Sequence, residues 1–382
     1  MSTWRFVQPV DTLTLRGNKL FGAAGDFGAS GFPPRPSVLA GALRSLLLAQ
    51  AGDQIEGFAQ GQRLQDAQLD RILGIPLEPG TFALRGVFLA RRDAQGQVNV
   101  LMPLPADLLV FDEGETVRAL EPQTLPDGVQ ASLPEGLTQA AILRQPEAAK
   151  PDAGWLLNQA GIAAYLAGQA IRSEHLIRQS CLWAREARVG IRLSHASRTA
   201  EDGKLFTVEH TVVRQPEHGG WAGGLAVAVD GVGDRLPSSA FLRLGGDGRA
   251  AAISGMPAPI WHLPLEIIRQ TGRFKLTLIS PGLFAEGWRP TPPDGLSARL
   301  VCAAVPRFEV VSGWDLAAWA PKEAERAVPA GAVYWFEDFS GDPGKLAEWV
   351  AGGLWTHHAD QTRRAEGFNN ALLAAWPQGD QP

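Results

Sequence analysis

The spacing of apolar positions changes from period two to helical spacing within the first fifty residues. Alternation predicts a strand over 4–10. Helical spacing predicts a helix over 37–51, with Ser37 as its N-terminal cap and Gly52 at its end. One helical face is formed by four leucines: Leu39, Leu43, Leu46 and Leu47. The chain therefore begins with a strand, a long connection and a helix.

Further along, the same patterns predict a hairpin over 81–104 that turns at 93–96. Residues 112–152 are rich in acid and proline and predict little regular structure. A helical tendency follows over 155–182. Alternation then predicts strands, with Phe206, Val208, His210 and Val212 on one face of the second. These strands cover 189–193, 205–213, 225–229 and 241–244.

A second group of elements follows the proline-rich residues 256–265. Strands are predicted over 274–278, 300–305 and 331–337, and helices over 345–353 and 362–376. Two halves that each combine strands and helices favour an α+β fold of two ferredoxin-like domains.

The connection between the first strand and the first helix, 16–36, contains five glycines. So long a loop is uncommon in a domain unless it has a function. Glycine lets backbone amides approach a ligand, and a helix N-terminus offers unpaired N–H groups. With Arg16, Lys19, Arg35 and Arg44 supplying charge, the loop and helix predict a polyanion site. An ordinary surface loop is the alternative.

Charge is unevenly distributed along the chain, whose net charge is −5. That balance argues against a protein that coats nucleic acid with its whole surface. The segment 172–198 nevertheless holds six arginines and only Glu174 and Glu186 as acids, a local charge of +4, which favours anion binding over a solvated face. The arginines are Arg172, Arg178, Arg185, Arg188, Arg192 and Arg198.

Length and composition set further bounds. At 382 residues, with 45% hydrophobic and 20% charged side chains, the chain suggests two domains or one with a large insertion. Its apolar runs are shorter than a membrane span, and the first residues do not resemble a secretory signal. Cys181 and Cys302 form neither a disulfide framework nor a ligand pattern. A cytoplasmic protein without membrane contact is expected.

Catalytic signatures are missing from the sequence: it contains no P-loop, dinucleotide fingerprint, HExxH or GxSxG. Seven histidines are scattered, at 175, 195, 210, 218, 262, 357 and 358. His195 lies in the arginine-rich segment and is the candidate for a general base, whereas the alternation around His210 favours a structural role. Aromatic residues near basic ones could stack on bases or pack in the core: Phe21, Phe27, Phe32 and Trp183.

At SGFPPRPSVLAGALRSLLL the sequence resembles the RAMP superfamily of CRISPR systems, specifically the third subunit of the Cmr module. Further segments match in the same order over roughly residues 1 to 340. They are the hairpin before a PxD element at Pro103–Asp107, the paired strands in REARVGIRLSHASRTAEDGKLFTVEHTVV, and the segments FLRLGGDGRAA, LISPGLFAEGWRP, SGWDL and VPAGAVYWFE. The chain departs from the family at its end, where Gly367 is followed by FNNALLAAW with no second glycine nearby to form a glycine-rich turn.

The resemblance implies two RAMP domains, 1–258 and 259–382, with an insertion at about 53–180. It implies that the strands at 189–193 and 205–213 follow the first helix in the N-terminal domain. It also implies a cofactor-free subunit of a type III-B effector complex in antiviral defence, which holds the 5′ handle of the CRISPR RNA beside the large signalling subunit and backbone RAMP subunits. The loop 194–203 would be thumb-like and lie near target RNA.

Residues and resemblance together predict an RNA interface, because a single strand can be bound through amides, basic side chains and stacking. Its predicted residues are Arg16, Gly17, Lys19, Phe21, Arg35, Ser37, Arg44, Arg185, Arg188, Arg192, Arg198, Gly245 and Gly246. No catalytic residue, metal or cofactor is expected. Two alternatives remain: a RAMP endoribonuclease that processes CRISPR transcripts with a histidine base, and a protein adaptor that does not contact RNA.

Overall fold

The structure is a computed structural model of the chain. It describes residues 2–15, 27–28, 32–76, 78–129, 131–145, 149–194, 196–214, 220–315, 318–356 and 360–377. For residues 27–28 and 201–204 the description covers the backbone only.

Seven α-helices occur in the described residues: α1 Pro36–Leu48, α2 Ile55–Ala59, α3 Ala67–Leu73, α4 Gln159–Leu166, α5 Leu265–Thr271, α6 Pro343–Ala351 and α7 Gln361–Glu366. Short 3-10 turns cover Ala49–Gln54, Asp112–Gly114, Ser173–His175, Gln179–Cys181 and Gly233–Arg235. None of these described helices has both the length and the apolar character that a membrane crossing requires.

Strands make up most of the regular structure. The first sixteen are β1 Thr3–Pro9, β2 Phe27–Gly28, β3 Gly74–Ile75, β4 Glu78–Pro79, β5 Ala83–Asp93, β6 Val98–Pro103, β7 Leu108–Phe111, β8 Thr116–Ala119, β9 Glu121–Gln123, β10 Ala140–Ile142, β11 Trp155–Leu157, β12 Leu176–Arg178, β13 Trp183–Leu193, β14 Ala200–Val213, β15 Trp221–Asp230 and β16 Ser239–Arg243. The others are β17 Ala250–Gly255, β18 Phe274–Leu278, β19 Ser297–Ala304, β20 Glu309–Val311, β21 Trp314–Asp315, β22 Ala320–Pro321, β23 Glu325–Ala327, β24 Val333–Ser340 and β25 Ala371–Ala375.

The larger sheet has eight strands in the order β12-β11-β6-β5-β15-β1-β17-β16, and all its neighbours are antiparallel. Helix α1 covers one face with Leu39, Leu43 and Leu47, each 0% exposed. They pack in one cluster with sheet residues such as Val7 and Leu225. The predicted leucine face of this helix is therefore the core contact.

The smaller sheet has four antiparallel strands in the order β19-β24-β18-β25. Its core contains Phe274 stacked on Phe336, with ring centroids 4.9 Å apart, and Trp349 from α6. The strand order and antiparallel pairing match those of a βαββαβ unit, but the described residues 279–296, between β18 and β19, contain no helix. In the larger sheet β1, β5, β15 and β17 occupy the equivalent places, with α1 following β1.

The two sheets are joined by a shared core and by buried polar contacts. Ile279 and Leu372 of the second half pack in one cluster with Phe6 and Phe88 of the first. Asp107, which is 0% exposed, pairs with Lys275 of β18. Burial of this kind holds the halves in one orientation.

Several sequence predictions need correction. Residues 155–182, predicted to be helical, form β11, α4 and β12, so that both strands extend the larger sheet. The helix predicted over 362–376 ends at Glu366, and ALLAA forms β25 beside β18. Apolar runs without clear periodicity do not separate a buried strand from a helix, which explains both errors.

The strands expected next after the first helix are also placed differently. Residues 189–193 and 205–213 belong to the hairpin of β13 and β14, which forms a separate sheet with β2. Within 53–180 lie β5, β6, β11 and β12, four strands of the larger sheet. The predicted hairpin over 81–104 is confirmed as the pair β5 and β6.

Candidate nucleic-acid interface

Three of the sequence-predicted segments meet where the glycine-rich loop begins. Leu13 and Thr211 of β14 exchange two backbone hydrogen bonds, each 2.8 Å long. Next to them, the amide of Gly246 donates to the carbonyl of Thr14 at 2.7 Å. The start of the loop is therefore held between the hairpin and the glycine turn at 245–248.

The later part of the loop is also attached to the hairpin. Strand β2 runs parallel to β14, with Phe27 opposite Thr207. The Phe32 ring lies against Trp183, the first residue of β13, with ring centroids 4.9 Å apart. Both ends of the loop thus lie along one hairpin. Four predicted contacts, Arg16, Gly17, Lys19 and Phe21, lie outside the described residues.

The hairpin arginines are divided between its two faces. Side chains alternate along a strand, so Arg188 and Arg192 share a face with Phe206 and His210, while Arg185 lies on the other. Arg188 pairs with Glu186 at 2.7 Å and Arg185 with Glu209 at 3.6 Å. In the Arg188–Glu186 pair both side chains are exposed, at 42% and 48%, and such a pair contributes only about 0 to 1 kcal/mol. Glu209, by contrast, is only 8% exposed. A phosphate can therefore replace the carboxylate partner of Arg188 at little cost, whereas loss of Arg185 would leave a buried carboxylate without this partner.

A row of exposed aliphatic side chains lies near the tip of the hairpin, on the face that also carries Arg185. Val189, Ile191, Leu193 and Leu205 are 68%, 49%, 54% and 57% exposed. Register places Ile191 directly opposite Leu205, so the row is continuous across both strands. Contiguous exposed apolar surface of this kind is typical of a binding surface. The alternating aliphatic residues of VGIRL are visible in the sequence, but only the arginines of this segment were predicted to bind a ligand.

His210 of β14 is buried near the base of the hairpin, which is the end away from its tip turn. Its Nδ1 lies 3.2 Å from the Thr14 hydroxyl and 3.4 Å from that of Thr12. Burial is the main cause that lowers the pKa of His210, and the nearby Arg188 and Arg249 lower it further. The side chain is 6% exposed, in agreement with the structural role predicted for it.

The glycine turn after β16 is shaped by its approach to the loop. Gly245 has φ of +81°, and a Cβ on it would lie 2.6 Å from the Thr14 carbonyl oxygen. Glycine at 245 is thus required by the fold, whether or not the turn contacts a ligand. Gly246 lies beside it, and its amide is already bonded to Thr14.

Of the predicted contacts at α1, Arg35 and Ser37 lie at the N-terminus of the helix and Arg44 has a partner inside the protein. The helix begins at Pro36 with Arg35 at the N-cap position and no side-chain cap, so the prediction that Ser37 caps it is wrong. The half-buried Arg44 donates from Nη2 to the Leu73 carbonyl at 3.1 Å. Burial lowers the pKa of Arg44, and Glu366 acts in the opposite direction.

The six arginines of 172–198 do not form one patch. Arg172 and Arg178 lie at the edge of the larger sheet, where the guanidinium of Arg178 stacks on Trp155 at 4.1 Å. The other four belong to the hairpin and its tip, where Arg198 has φ of +55° in the tight turn after Ser194.

Histidine, cysteine and carboxylate groups do not converge on a metal site anywhere in the described parts of the chain. Cys302 is buried, and burial raises its pKa to about 12, so the thiol stays protonated at neutral pH. His195, the predicted candidate base, lies outside the described residues.

Comparison with protein-family models identifies one family over nearly the whole chain. The family model described as CRISPR-associated protein (Cas_Cmr3) matches residues 5–376. No curated protein matches this chain. Among solved structures, one chain titled "Cryo-EM structure of the Type III-B Cmr-beta bound to cognate target RNA" is 14% identical, with a TM-score of 0.49 and coverage of 97% and 96% of the two chains.

A second solved chain, from the complex titled as bound to cognate target RNA and AMPPnP, state 1, is 13% identical, with a TM-score of 0.48 and coverage of 87% and 86%. A third, from the apo state, has a TM-score of 0.29 and 11% identity over 68% of this chain and 99% of that one. Likeness at this level is too distant to transfer contacts residue by residue.

Proposed function

The chain belongs to the Cas_Cmr3 family of CRISPR-associated proteins, and on this premise we propose that it is a non-catalytic, RNA-binding subunit of a type III-B effector complex in antiviral defence. In this proposal the loop, hairpin and glycine turn hold the 5′ handle of the CRISPR RNA. The chain also contacts the large signalling subunit and the backbone RAMP subunits, in the cytoplasm and away from membranes. Both domains are ferredoxin-like RAMP folds, which the strand orders of the two sheets support.

One observation carries the proposal: the glycine-rich loop is attached at both ends to the arginine-bearing hairpin. Leu13 pairs with Thr211 before the loop, and Phe32 packs on Trp183 after it. The residues that flank the loop are thereby placed beside the strands whose hairpin carries Arg188 and Arg192. A single RNA strand is bound through such groups, since its phosphates accept hydrogen bonds and its unpaired bases stack.

The aliphatic row at the hairpin tip extends this proposal to target RNA. The loop expected over 194–203 ends at Thr199, because β14 begins at Ala200 and pairs there with Leu193. In the proposal this shorter loop is the thumb, and the aliphatic row beside it offers apolar surface to a base pair that opens. Partial unstacking of bases by apolar side chains is a known mode of nucleic-acid binding. The tip would therefore lie at the duplex of guide and target.

The proposal is tested by titrating fluorescent RNA with and without a handle into the full chain bound to its large partner subunit. Arg188→Ala and Arg192→Ala are expected to weaken binding of handle RNA. Each should also reduce the salt dependence by about 0.7 to 1 in the slope of log K against log salt, because one phosphate contact is lost. Arg269→Ala is the matched control, since Arg269 is 62% exposed and paired with Glu266 on α5, in the other half.

Equal binding of both RNAs by the wild type, or unchanged affinity and slope in both hairpin variants, would contradict the proposed site. We avoid Arg44→Ala as a test, because its bond to Leu73 makes a loss of stability the expected effect.

The non-catalytic part of the proposal has its own test. A metal-free RAMP endoribonuclease would cleave repeat RNA in EDTA with a histidine as general base, whereas a binding subunit leaves the RNA intact. If the wild type accumulates cleaved RNA and a His195→Ala variant does not, the chain is an endoribonuclease and the non-catalytic part of the proposal is wrong.

A further inference from the structure

The described residues cover one face of the larger sheet only in part. Residues of β1 alternate, so that Val7 lies in the core beneath α1, while Phe6, Gln8 and Val10 point to the other side. Trp261 covers this second face near Trp4 and Phe88, with ring centroids 6.1 and 5.3 Å away. Beyond Phe6 the face opens, and Val10 is 61% exposed.

Arg92 lies flat across this open region. Its guanidinium carbon is 4.9 Å from the centroid of the Phe6 ring beneath it. Nη2 donates to Gln8 Oε1 at 2.7 Å, and Nη1 donates to Ser254 Oγ at 3.1 Å. The Phe6 ring beneath the guanidinium lies against Gly224, where a Cβ would be 2.7 Å from the ring. The guanidinium is thus held over the Phe6 ring by hydrogen bonds to side chains on two different strands.

Phe241 stands on the same face, at the edge strand β16. It is opposite Ala252, which is opposite Gln8 on β1, so all three share a face. The ring is 72% exposed, whereas the next residue, Leu242, is 5% exposed in the core. The neighbouring positions are small, including Ser239 opposite Ser254. The Phe241 ring and the Arg92 guanidinium therefore lie on a surface formed largely by small side chains.

The electrostatic character of this open sheet face is positive. Arg243 follows Phe241 with the same orientation, opposite Ala250. Among the described strand positions around Arg92 and Phe241 on this face, none is acidic. Arg243 also leads directly into the turn at Gly245, so the face is continuous with the candidate interface. Positive charge combined with planar groups suits a single nucleic-acid strand better than an apolar protein segment.

We propose that the open sheet face formed by Arg92, Phe241 and Arg243 is a second RNA-binding surface, on which two unpaired nucleotides stack, one on Arg92 and one on Phe241. Arg243 pairs with the phosphate between them or beside them. The inference rests on the proposed RNA-binding function and extends the path of the strand from the turn at Gly245 onto the sheet.

The test uses the full chain in complex with its large partner subunit and single-stranded RNA that carries 2-aminopurine at successive positions. Stacking quenches this base, so one or two positions should be quenched in the wild type. Phe241→Ala should remove the quenching at one position and weaken binding about fivefold to 150-fold, the range for one lost base stack. Phe241→Trp should restore both, and Arg92→Lys, which keeps the charge, should remove quenching at the neighbouring position.

Phe308→Ala is the matched control, because Phe308 is also exposed, at 47%, and lies under Arg326 in the second half. If Phe241→Ala leaves quenching and affinity unchanged while Arg188→Ala weakens binding, this inference is wrong and the proposed function stands. If Phe241→Ala instead releases a neighbouring subunit without changing RNA binding, the surface is a protein interface and the inference is again wrong. If the wild type shows no RNA binding, both fail.

Discussion

Asp107 offers the sharpest test of how the two halves are joined, because its carboxylate is buried with two partners from different elements. Oδ2 accepts from Lys275 Nζ at 2.8 Å and Oδ1 accepts from Tyr165 OH at 2.9 Å. The two charged side chains are 1% and 12% exposed. Burial, followed by the Asp107 charge, raises the pKa of Tyr165 far above its usual value, so its hydroxyl remains a donor.

Asp107→Leu should therefore be strongly destabilising. It leaves the Lys275 ammonium buried without its partner, and removal of one member of a buried ion pair costs about 3 to 5 kcal/mol. Lys275→Met should cost a similar amount for the same reason. The double variant Asp107→Leu with Lys275→Met should lose far less than the sum of the singles, because a buried pair replaced by apolar groups is often neutral.

The assay is urea unfolding of the four proteins of this cycle, followed by tryptophan fluorescence and far-ultraviolet circular dichroism. Glu266→Ala serves as the control, since its pair with Arg269 is 64% and 62% exposed and should contribute at most about 1 kcal/mol. Single variants that each cost less than about 1 kcal/mol, or costs that simply add in the double variant, would refute a buried, coupled pair.

Two further predictions concern the base of the hairpin. Because the folded pKa of His210 is lowered, its contribution to stability is complete above the unfolded value of about 6.5 and is lost as pH falls through the folded pKa. Amide protection factors over 205–213, corrected for the intrinsic exchange rate at each pH, should therefore fall at acidic pH, and an equal fall in His210→Asn would contradict this. Gly245→Ala should lower the free energy of unfolding by about 1 kcal/mol or more, because φ is +81° and the added Cβ meets the Thr14 carbonyl. Gly248→Ala is the control, since Gly248 has φ of +64° but open space around it. An equal loss of stability in the thermal unfolding curves of both variants would refute the role of the contact with Thr14.

The elements that sequence predicted best are those with a strong periodic signal. The leucines of α1 and the alternation in β1, β5 and β6 gave the correct element types, with boundaries shifted by a few residues. The segment ALLAA failed because five small or aliphatic residues, all buried, have neither period, and only the pairing with β18 makes them a strand. Likewise, Trp155–Leu157 is too short to predict and is fixed by its neighbours in the sheet.

The candidate interface was predictable in its parts but not in its assembly. Sequence identified the loop, the arginines and the glycine turn separately. Their contact depends on the bonds of Leu13 to Thr211 and of Gly246 to Thr14, and these join residues that are far apart along the chain. Asp107 was noted only as part of a family element, because nothing in its neighbourhood in sequence indicates a partner at Lys275.

Three contacts fix the described backbone on either side of, and within, the glycine-rich segment: Leu13 pairs with Thr211, Phe27 lies opposite Thr207, and Phe32 packs on Trp183. Ordering a chain segment around a ligand costs conformational entropy, and a segment that is already fixed at several points loses less of it on binding. If the segment binds RNA as proposed, these three contacts reduce the entropic cost of binding, and its glycines allow backbone amides to approach phosphate closely.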